Sequence, residues 1–120
     1  MKIEVKKSIE ITEQDIDDVM SAALTGIGYW CDGVAIIGEK LGEWTSEHIS
    51  QGGTLWLYDA EDGTKYELTR SMLMTGIAKY ISEFKSENLI QNGNFDTWYV
   101  DAEVGDAIVQ LALFGEIIYG

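Results

Sequence analysis

The stretch TLWLYDAEDGTKYELT, residues 54–69, carries the clearest structural signal in this chain. Apolar residues alternate along its first half, with Leu55 and Leu57 two positions apart, and the Asp62-Gly63 pair precedes a second run of β-forming residues. Asp-Gly between two alternating runs is typical of the tight turn of a β-hairpin. The pattern therefore predicts two antiparallel strands whose leucines point into the core.

Two aromatic residues of the same stretch are predicted on the opposite face of the hairpin. Trp56 and Tyr58 alternate with the leucines, and successive side chains of a strand point to opposite faces of the sheet. An exposed Trp-x-Tyr pair is typical of a binding surface. We therefore predict that either Trp56 and Tyr58 or the apolar C-terminus forms the interface of a homo-oligomer.

Around the hairpin, three segments have the spacing of amphipathic helices. Apolar residues recur every three or four positions after residue 15, after residue 72 and after residue 103. Glycines follow two of these stripes, at Gly26 and Gly115, where helices commonly end. The candidate N-terminal caps are Thr12, either Thr69 or Ser71, and Asp101.

Shorter patterns complete the expected fold. They predict further strands over residues 2–11, 34–37, 95–100 and 117–119, a short helix over residues 44–50, and a loop over residues 88–94. No proline-rich or low-complexity linker divides the chain. The sequence thus predicts one compact α+β domain over residues 1–120, a mostly antiparallel sheet with about three helices packed on one face.

The chain is strongly acidic. Eight Lys and Arg face 21 Asp and Glu, which gives a net charge of −13, and no base follows Lys85. Such a surface repels phosphate backbones and anionic lipids, which argues against nucleic-acid or membrane binding. The acidic face either keeps the protein soluble or imitates DNA and occupies a basic groove of a partner.

Residues that carry catalytic or metal chemistry are sparse. Cys31 and His48, with Asp32 as a possible orienting group, form the one conceivable nucleophilic set, and no family signature surrounds them. One cysteine and one histidine do not suffice for a zinc site. The single cysteine also forms no internal disulfide, and the N-terminus lacks the apolar run of a signal peptide. We therefore predict a cytoplasmic protein that is not an enzyme and has no metal and no cofactor.

The segment GIGYWCDG, residues 26–33, is the strongest candidate for a binding surface. Three glycines frame Tyr29 and Trp30 directly after a predicted helix. Glycine allows sharp turns, and aromatic rings held on such a turn offer a wall on which a flat ligand can stack.

Several motifs resemble those of small uncharacterised proteins from phages and prophages of Firmicutes. The matching stretches are Gly28–Cys31, Ile49–Leu55, Asp59–Asp62, Asp106–Gln110 and Phe114–Ile117. The resemblance covers nearly the whole chain and carries over no catalytic residue. It implies a protein that counters host immunity, either by sequestering a nucleotide-derived signal, such as a cyclic dinucleotide or a cyclic ADP-ribose relative, or by blocking a defence nuclease such as a CRISPR effector.

Our first hypothesis is therefore a non-catalytic phage protein that sequesters a nucleotide-like ligand in a pocket of a homo-oligomer. Aromatic rings would stack on the ligand, an arginine would bind phosphate, and carboxylates would bind hydroxyl groups or a base edge. The predicted ligand-binding residues are Tyr29, Trp30, Asp32, Trp44, Arg70, Trp98 and Asp101. One alternative is an acidic DNA mimic that inhibits a defence nuclease, and another is a structural or packaging accessory protein of the phage particle.

Overall fold

The computed structural model describes residues 1–3, 8–84 and 87–120, and it confirms an α+β architecture. The α-helices are α1 (Glu13–Gly26), α2 (Thr45–Ser50), α3 (Arg70–Phe84) and α4 (Ala102–Phe114). The strands are β1 (Cys31–Ile37), β2 (Thr54–Asp59), β3 (Lys65–Thr69), β4 (Ile90–Gln91) and β5 (Asn94–Phe95). Short 3-10 helices span Ile27–Tyr29, Glu87–Leu89 and Thr97–Tyr99.

The predicted hairpin forms two of the three strands of the main sheet, with β2 in the centre and β3 at one edge. Strands β1, β2 and β3 are neighbours in chain order, and both pairs are antiparallel. Leu55 and Leu57 are fully buried, and Leu55 lies opposite the equally buried Leu68. The residues between them point to the outer face of the sheet, so the predicted alternation is confirmed. The helices cover the leucine face.

All three predicted helix caps are present. The hydroxyl of Thr12 accepts from the backbone N–H of Asp15, and the Asp15 carboxylate accepts from the N–H of Thr12, which makes a reciprocal capping box. Thr69, rather than Ser71, caps α3, because its hydroxyl accepts the N–H of Met72. Asp101 accepts the N–H three residues later in α4. Each cap satisfies a helical N–H that would otherwise lack a partner.

Helix α4 packs closely against both α1 and α3, and glycines make this possible. A Cβ on Gly26 would lie 2.0 Å from the backbone oxygen of Ala102, and a Cβ on Gly105 would lie 2.5 Å from the backbone nitrogen of Ala23. A Cβ on Gly76 of α3 would lie 2.5 Å from a backbone oxygen of α4. Only glycine fits at these crossings, because any side chain would force the helices apart.

Gly26 ends α1, as predicted, but not in the left-handed conformation that is common at helix ends. Its φ is −85° and the chain continues into the 3-10 helix Ile27–Tyr29. The close approach of Ala102 is therefore what requires a glycine here. By contrast, Gly115 follows α4 with a φ of 73°, as predicted for a helix end.

The weaker strand predictions are wrong in part. Strand β1 begins at Cys31, three residues before the predicted start. Residues 8–11 of the predicted N-terminal strand are irregular, whereas residues 4–7 of that strand lie outside the described residues. Residues 117–119 form no strand in the described structure.

The segment between α3 and α4 also differs from its prediction. The expected loop over residues 88–94 contains the small hairpin of β4 and β5, which turns at Asn92-Gly93 with φ values of 53° and 79°. Asn-Gly with two positive φ angles is typical of a two-residue hairpin turn. The expected strand over residues 95–100 is mostly the 3-10 helix Thr97–Tyr99, because the side chain of Asp96 accepts the N–H of Trp98.

We expect Gly105→Ala to lower the free energy of unfolding by about 1–3 kcal/mol, because its Cβ would overlap the backbone of α1. The matched control is Gly28→Ala, where a Cβ meets nothing within 4 Å and the change should stay within about 0.5 kcal/mol. Urea unfolding measures the free energy of unfolding of both variants. Helix propensity alone predicts the opposite sign for Gly105→Ala, so a variant more stable than the wild type would contradict the packing argument.

Candidate functional site

A groove of about 630 Å³ lies where the end of α1, the C-terminal part of α3, the first turns of α4 and residues 117–120 meet. Its walls combine aromatic rings with carboxylates. The residues that define its chemistry are Tyr29, Tyr80, Phe84, Asp101, Glu103 and Asp106. Among the described residues that line it, none is Lys or Arg. The groove is thus apolar on its walls and negative at its edge.

Two of the walls are aromatic. The rings of Tyr80 and Phe84 lie one helical turn apart on α3 and are stacked, with centroids 5.1 Å apart. Tyr29 stands on the 3-10 helix after α1 and is 56% exposed. Rings with free faces in a groove attract planar and cationic groups.

The carboxylates come from the first turns of α4. Asp101 and Glu103 are exposed at the edge of the groove, whereas Asp106 lies one turn further along and is buried. Burial, the hydrogen bond to Asp106 and the charge of Glu103 all raise the pKa of the Tyr29 phenol. The Tyr29 hydroxyl therefore stays protonated near neutral pH and donates a hydrogen bond to the Asp106 carboxylate.

Asp106 is the centre of a buried polar cluster. Its two carboxylate oxygens accept from the hydroxyl of Tyr29 at 2.6 Å, the indole Nε1 of Trp30 at 2.7 Å and the amide Nε2 of Gln110 at 3.0 Å. Three neutral donors therefore satisfy a carboxylate that is 8% exposed. A buried carboxylate needs such partners to offset its loss of hydration.

The segment after α4 is held against the same cluster. The amide oxygen of Gln110 accepts the backbone N–H groups of Ile118 at 2.9 Å and Tyr119 at 2.8 Å. The ring of Tyr119 stacks on Trp30 with centroids 4.9 Å apart, and its hydroxyl donates to Asp59 at the end of β2. This hydrogen bond is the main cause that lowers the pKa of Asp59 and raises the pKa of Tyr119.

Of the predicted ligand-binding residues, the groove brings together Tyr29 and Asp101. Trp30 lies beside them but is only 3% exposed, with one ring face covered by Tyr119. Its edge lines a smaller cavity of about 280 Å³ next to Asp59, yet the ring offers no free face for a ligand to stack on. Trp30 instead fills the core and donates to Asp106.

The other predicted ligand residues lie outside the groove. Arg70 donates from its guanidinium to the backbone oxygen of Ser50 at 2.8 Å. Trp44 precedes α2 and is 66% exposed, Trp98 is 83% exposed on the 3-10 helix before α4, and Asp32 is exposed on β1. The predicted partnership of Arg70 with the Tyr29 segment is therefore absent from this groove.

The predicted interface residues lie on the outer face of the sheet. Trp56 and Tyr58 are half-buried, and the ammonium of Lys65 lies 4.8 Å from the centroid of the Trp56 ring. This cation–π contact covers part of the indole. Their role in a homo-oligomer stays a prediction.

The one conceivable nucleophilic pair is not assembled. Cys31 pairs with Asp59 at one end of β2, whereas the ring of His48 contacts the backbone oxygen of Thr54 at the other end. Five residues of a strand span about 17 Å. Burial also raises the pKa of the Cys31 thiol, which disfavours the reactive thiolate.

Two further properties concern the described part of the chain. Over residues 1–3, 8–84 and 87–120, no group of three or more His, Cys, Asp or Glu residues is placed to hold a metal ion. None of the helices in these ranges combines the length and the apolar character needed to cross a lipid bilayer.

Sequence reasoning missed Asp106, Gln110 and Tyr119. A signal for the first two was available, since they are polar residues four positions apart within the apolar run VGDAIVQLALF, residues 104–114. That spacing puts them on one helix face, and buried polar residues require partners. The contact of Tyr119 with Trp30 and Asp59 joins residues far apart in the chain, and no local pattern announces it.

Comparison with known proteins adds no relative. No protein-family model matches the chain, and no significant match was found among curated proteins or among solved structures.

We expect Asp106→Asn to lower the free energy of unfolding by about 1–3 kcal/mol. The asparagine NH₂ would face a donor, either the Tyr29 hydroxyl or the Trp30 indole, and leave it without an acceptor. Glu116→Gln is the control, because it removes the same charge from an exposed position. Equal urea midpoints for the two variants would show that the cluster does not stabilise the fold.

The contact between Tyr119 and Asp59 should stabilise the fold only within a pH window. The pKa of Asp59 is lowered in the folded protein, so its contribution is present above the unfolded value of about 4 and is lost as the pH falls below it. The pKa of Tyr119 is raised, so its contribution is present below about pH 10 and is lost as the pH rises further.

Unfolding of the wild type and of Tyr119→Phe across the pH range measures this contribution. The difference in the free energy of unfolding should be largest between about pH 4 and pH 10, and it should shrink at both extremes. A difference that does not change with pH would assign the role of Tyr119 to its ring stacking on Trp30 alone.

Proposed function

We propose that this protein is a non-catalytic binding protein whose groove receives a cationic side chain of a basic protein partner. The observation that carries the proposal is the composition of the groove, which joins the rings of Tyr29, Tyr80 and Phe84 to the carboxylates of Asp101 and Glu103. An arginine or lysine can place its cation on such rings while nearby carboxylates accept its hydrogen bonds.

The charge of the whole chain supports the same kind of partner. A net charge of −13 attracts a basic surface at long range and speeds encounter with it. Basic surfaces of this kind also bind phosphate backbones, so occupancy by this protein would compete with nucleic acid. We accordingly propose inhibition of a nucleic-acid-binding enzyme, such as a phage-targeting nuclease of the bacterial cytoplasm, with the phage setting taken from the sequence resemblance.

Sequestration of a nucleotide-like ligand is the second candidate. The volume of the groove and the exposed ring of Tyr29 favour it. Against it, the phosphate groups of such a ligand would lie among carboxylates, with Arg70 engaged at Ser50 outside the groove. Like charges in a shared site repel strongly, so this geometry favours a cation over a phosphate.

A titration with two kinds of probe separates the candidates. We expect an oligo-arginine peptide to bind the wild-type protein, with an affinity that falls as the salt concentration rises toward about 0.15 M. Glu103→Gln should weaken this binding about two- to fivefold, because it removes one partly exposed ion pair. Cyclic dinucleotides and ADP-ribose are the competing probes.

The control for the titration is Glu67→Gln, which removes one negative charge from β3 on the outer face of the sheet. It should leave oligo-arginine binding within about twofold, since a general loss of charge has only a small effect. Equal losses for the two variants would mean that the peptide senses net charge and not the groove. Binding of a nucleotide without binding of oligo-arginine would refute the proposal in favour of the second candidate.

A further inference from the structure

The most exposed tryptophan of the described structure stands directly before α4. Trp98 is 83% exposed and its neighbour Tyr99 is 49% exposed, both on the 3-10 helix Thr97–Tyr99. Large aromatic side chains lose much unfavourable contact with water when a partner covers them. Two adjacent exposed rings therefore form an apolar projection, which we call the Trp98 knob.

The backbone of the Trp98 knob is firmly held. The carboxylate of Asp96 accepts the N–H of Trp98 at 2.9 Å, and the N–H of Val100 donates to the oxygen of Thr97 at 2.9 Å. The hydroxyl of Thr97 donates to Asp18 of α1 at 2.7 Å, which ties the turn to the core. A ring on a fixed turn binds without the entropic cost of ordering a loop.

The residues next to the knob are acidic, and one of them, Asp101, also lines the groove. Asp18 and Asp96 hold the turn itself, and Asp101 follows Tyr99 by two residues and lines the groove. The knob thus lies between carboxylates, one of which, Asp101, belongs to the groove that the proposed function assigns to a cation. An interface with a tryptophan at its centre and charges around it is the usual composition of a binding hot spot.

We infer that Trp98 and Tyr99 are the apolar anchor of the contact with a basic protein, an inference that rests on the proposed function. The partner would present an apolar slot bordered by lysines and arginines. Trp98 would enter the slot, while Asp18, Asp96 and Asp101 would face the basic border. Charge disfavours two other occupants, because a second copy of this chain and an anionic membrane both repel these carboxylates.

Two helical peptides with the same lysines test the inference. One carries leucines on its apolar face, and the other carries alanines in their place. We expect Trp98→Ala to weaken binding of the leucine peptide at least about tenfold and to leave the alanine peptide within about twofold. The matched control is Trp44→Ala, which removes another exposed tryptophan, at the start of α2, and should change neither affinity.

The outcomes separate the inference from the proposed function. If Glu103→Gln weakens binding of both peptides but Trp98→Ala weakens binding of neither, the groove binds cations and the inference that Trp98 is an anchor is wrong. If the wild type binds neither peptide, both proposals are wrong. Urea unfolding of Trp98→Ala checks that the variant is folded. We expect little change in its free energy of unfolding at so exposed a position.

Two further results would assign the knob to another occupant and overturn the inference. The first is a wild-type dimer in sedimentation equilibrium that becomes a monomer in Trp98→Ala, since this would place a second copy on the knob. The second is a blue shift of tryptophan fluorescence with phosphatidylcholine vesicles that disappears in Trp98→Ala, since this would place the knob in a bilayer.

Discussion

The close approach of α4 to α1 and α3 is the constraint on which the rest of the structure depends. Backbones meet at Gly26, Gly76 and Gly105, where no side chain fits between them. This distance brings the first turns of α4 beside the end of α1, and hence Asp106 within hydrogen-bonding distance of Tyr29 and Trp30. Wider helix packing would separate these groups, and both the polar cluster and the groove would be lost.

The carboxylates at the start of α4 differ in burial and in their part in the fold. Asp106 is buried and accepts hydrogen bonds from three neutral donors, so its carboxylate stabilises the fold. Asp101 also serves the fold, as the cap of α4, but remains exposed at the edge of the groove. Glu103 has no comparable hydrogen-bond partner among the described residues, and its carboxylate is exposed at the edge of the groove. The acidic side chains at the start of α4 thus range from the exposed Asp101 and Glu103 to the buried Asp106.

The sequence predicted the elements that local patterns determine. Alternation and Asp62-Gly63 predicted the hairpin, and Thr12 and Asp101 predicted helix starts, because each signal depends on near neighbours in the chain. The same patterns indicated Tyr29 as a groove residue but treated Trp30 as equally accessible. Its burial depends on Tyr119, a residue 89 positions later that stacks on it. The prediction also grouped Arg70 with Tyr29, and Arg70 lies outside the groove, since chain order does not tell which groups meet in space.

The position of α4 also determines how the site responds to local opening. Amide protons exchange slowly where a helix is buried on several sides, and they exchange early in exposed turns and chain ends. With six of its residues buried, α4 belongs to the last part of the molecule to open. Asp101 and Glu103, at the exposed start of α4, are therefore attached to a helix that we expect to open late. We therefore expect the groove to be lost in the same melting transition as the fold.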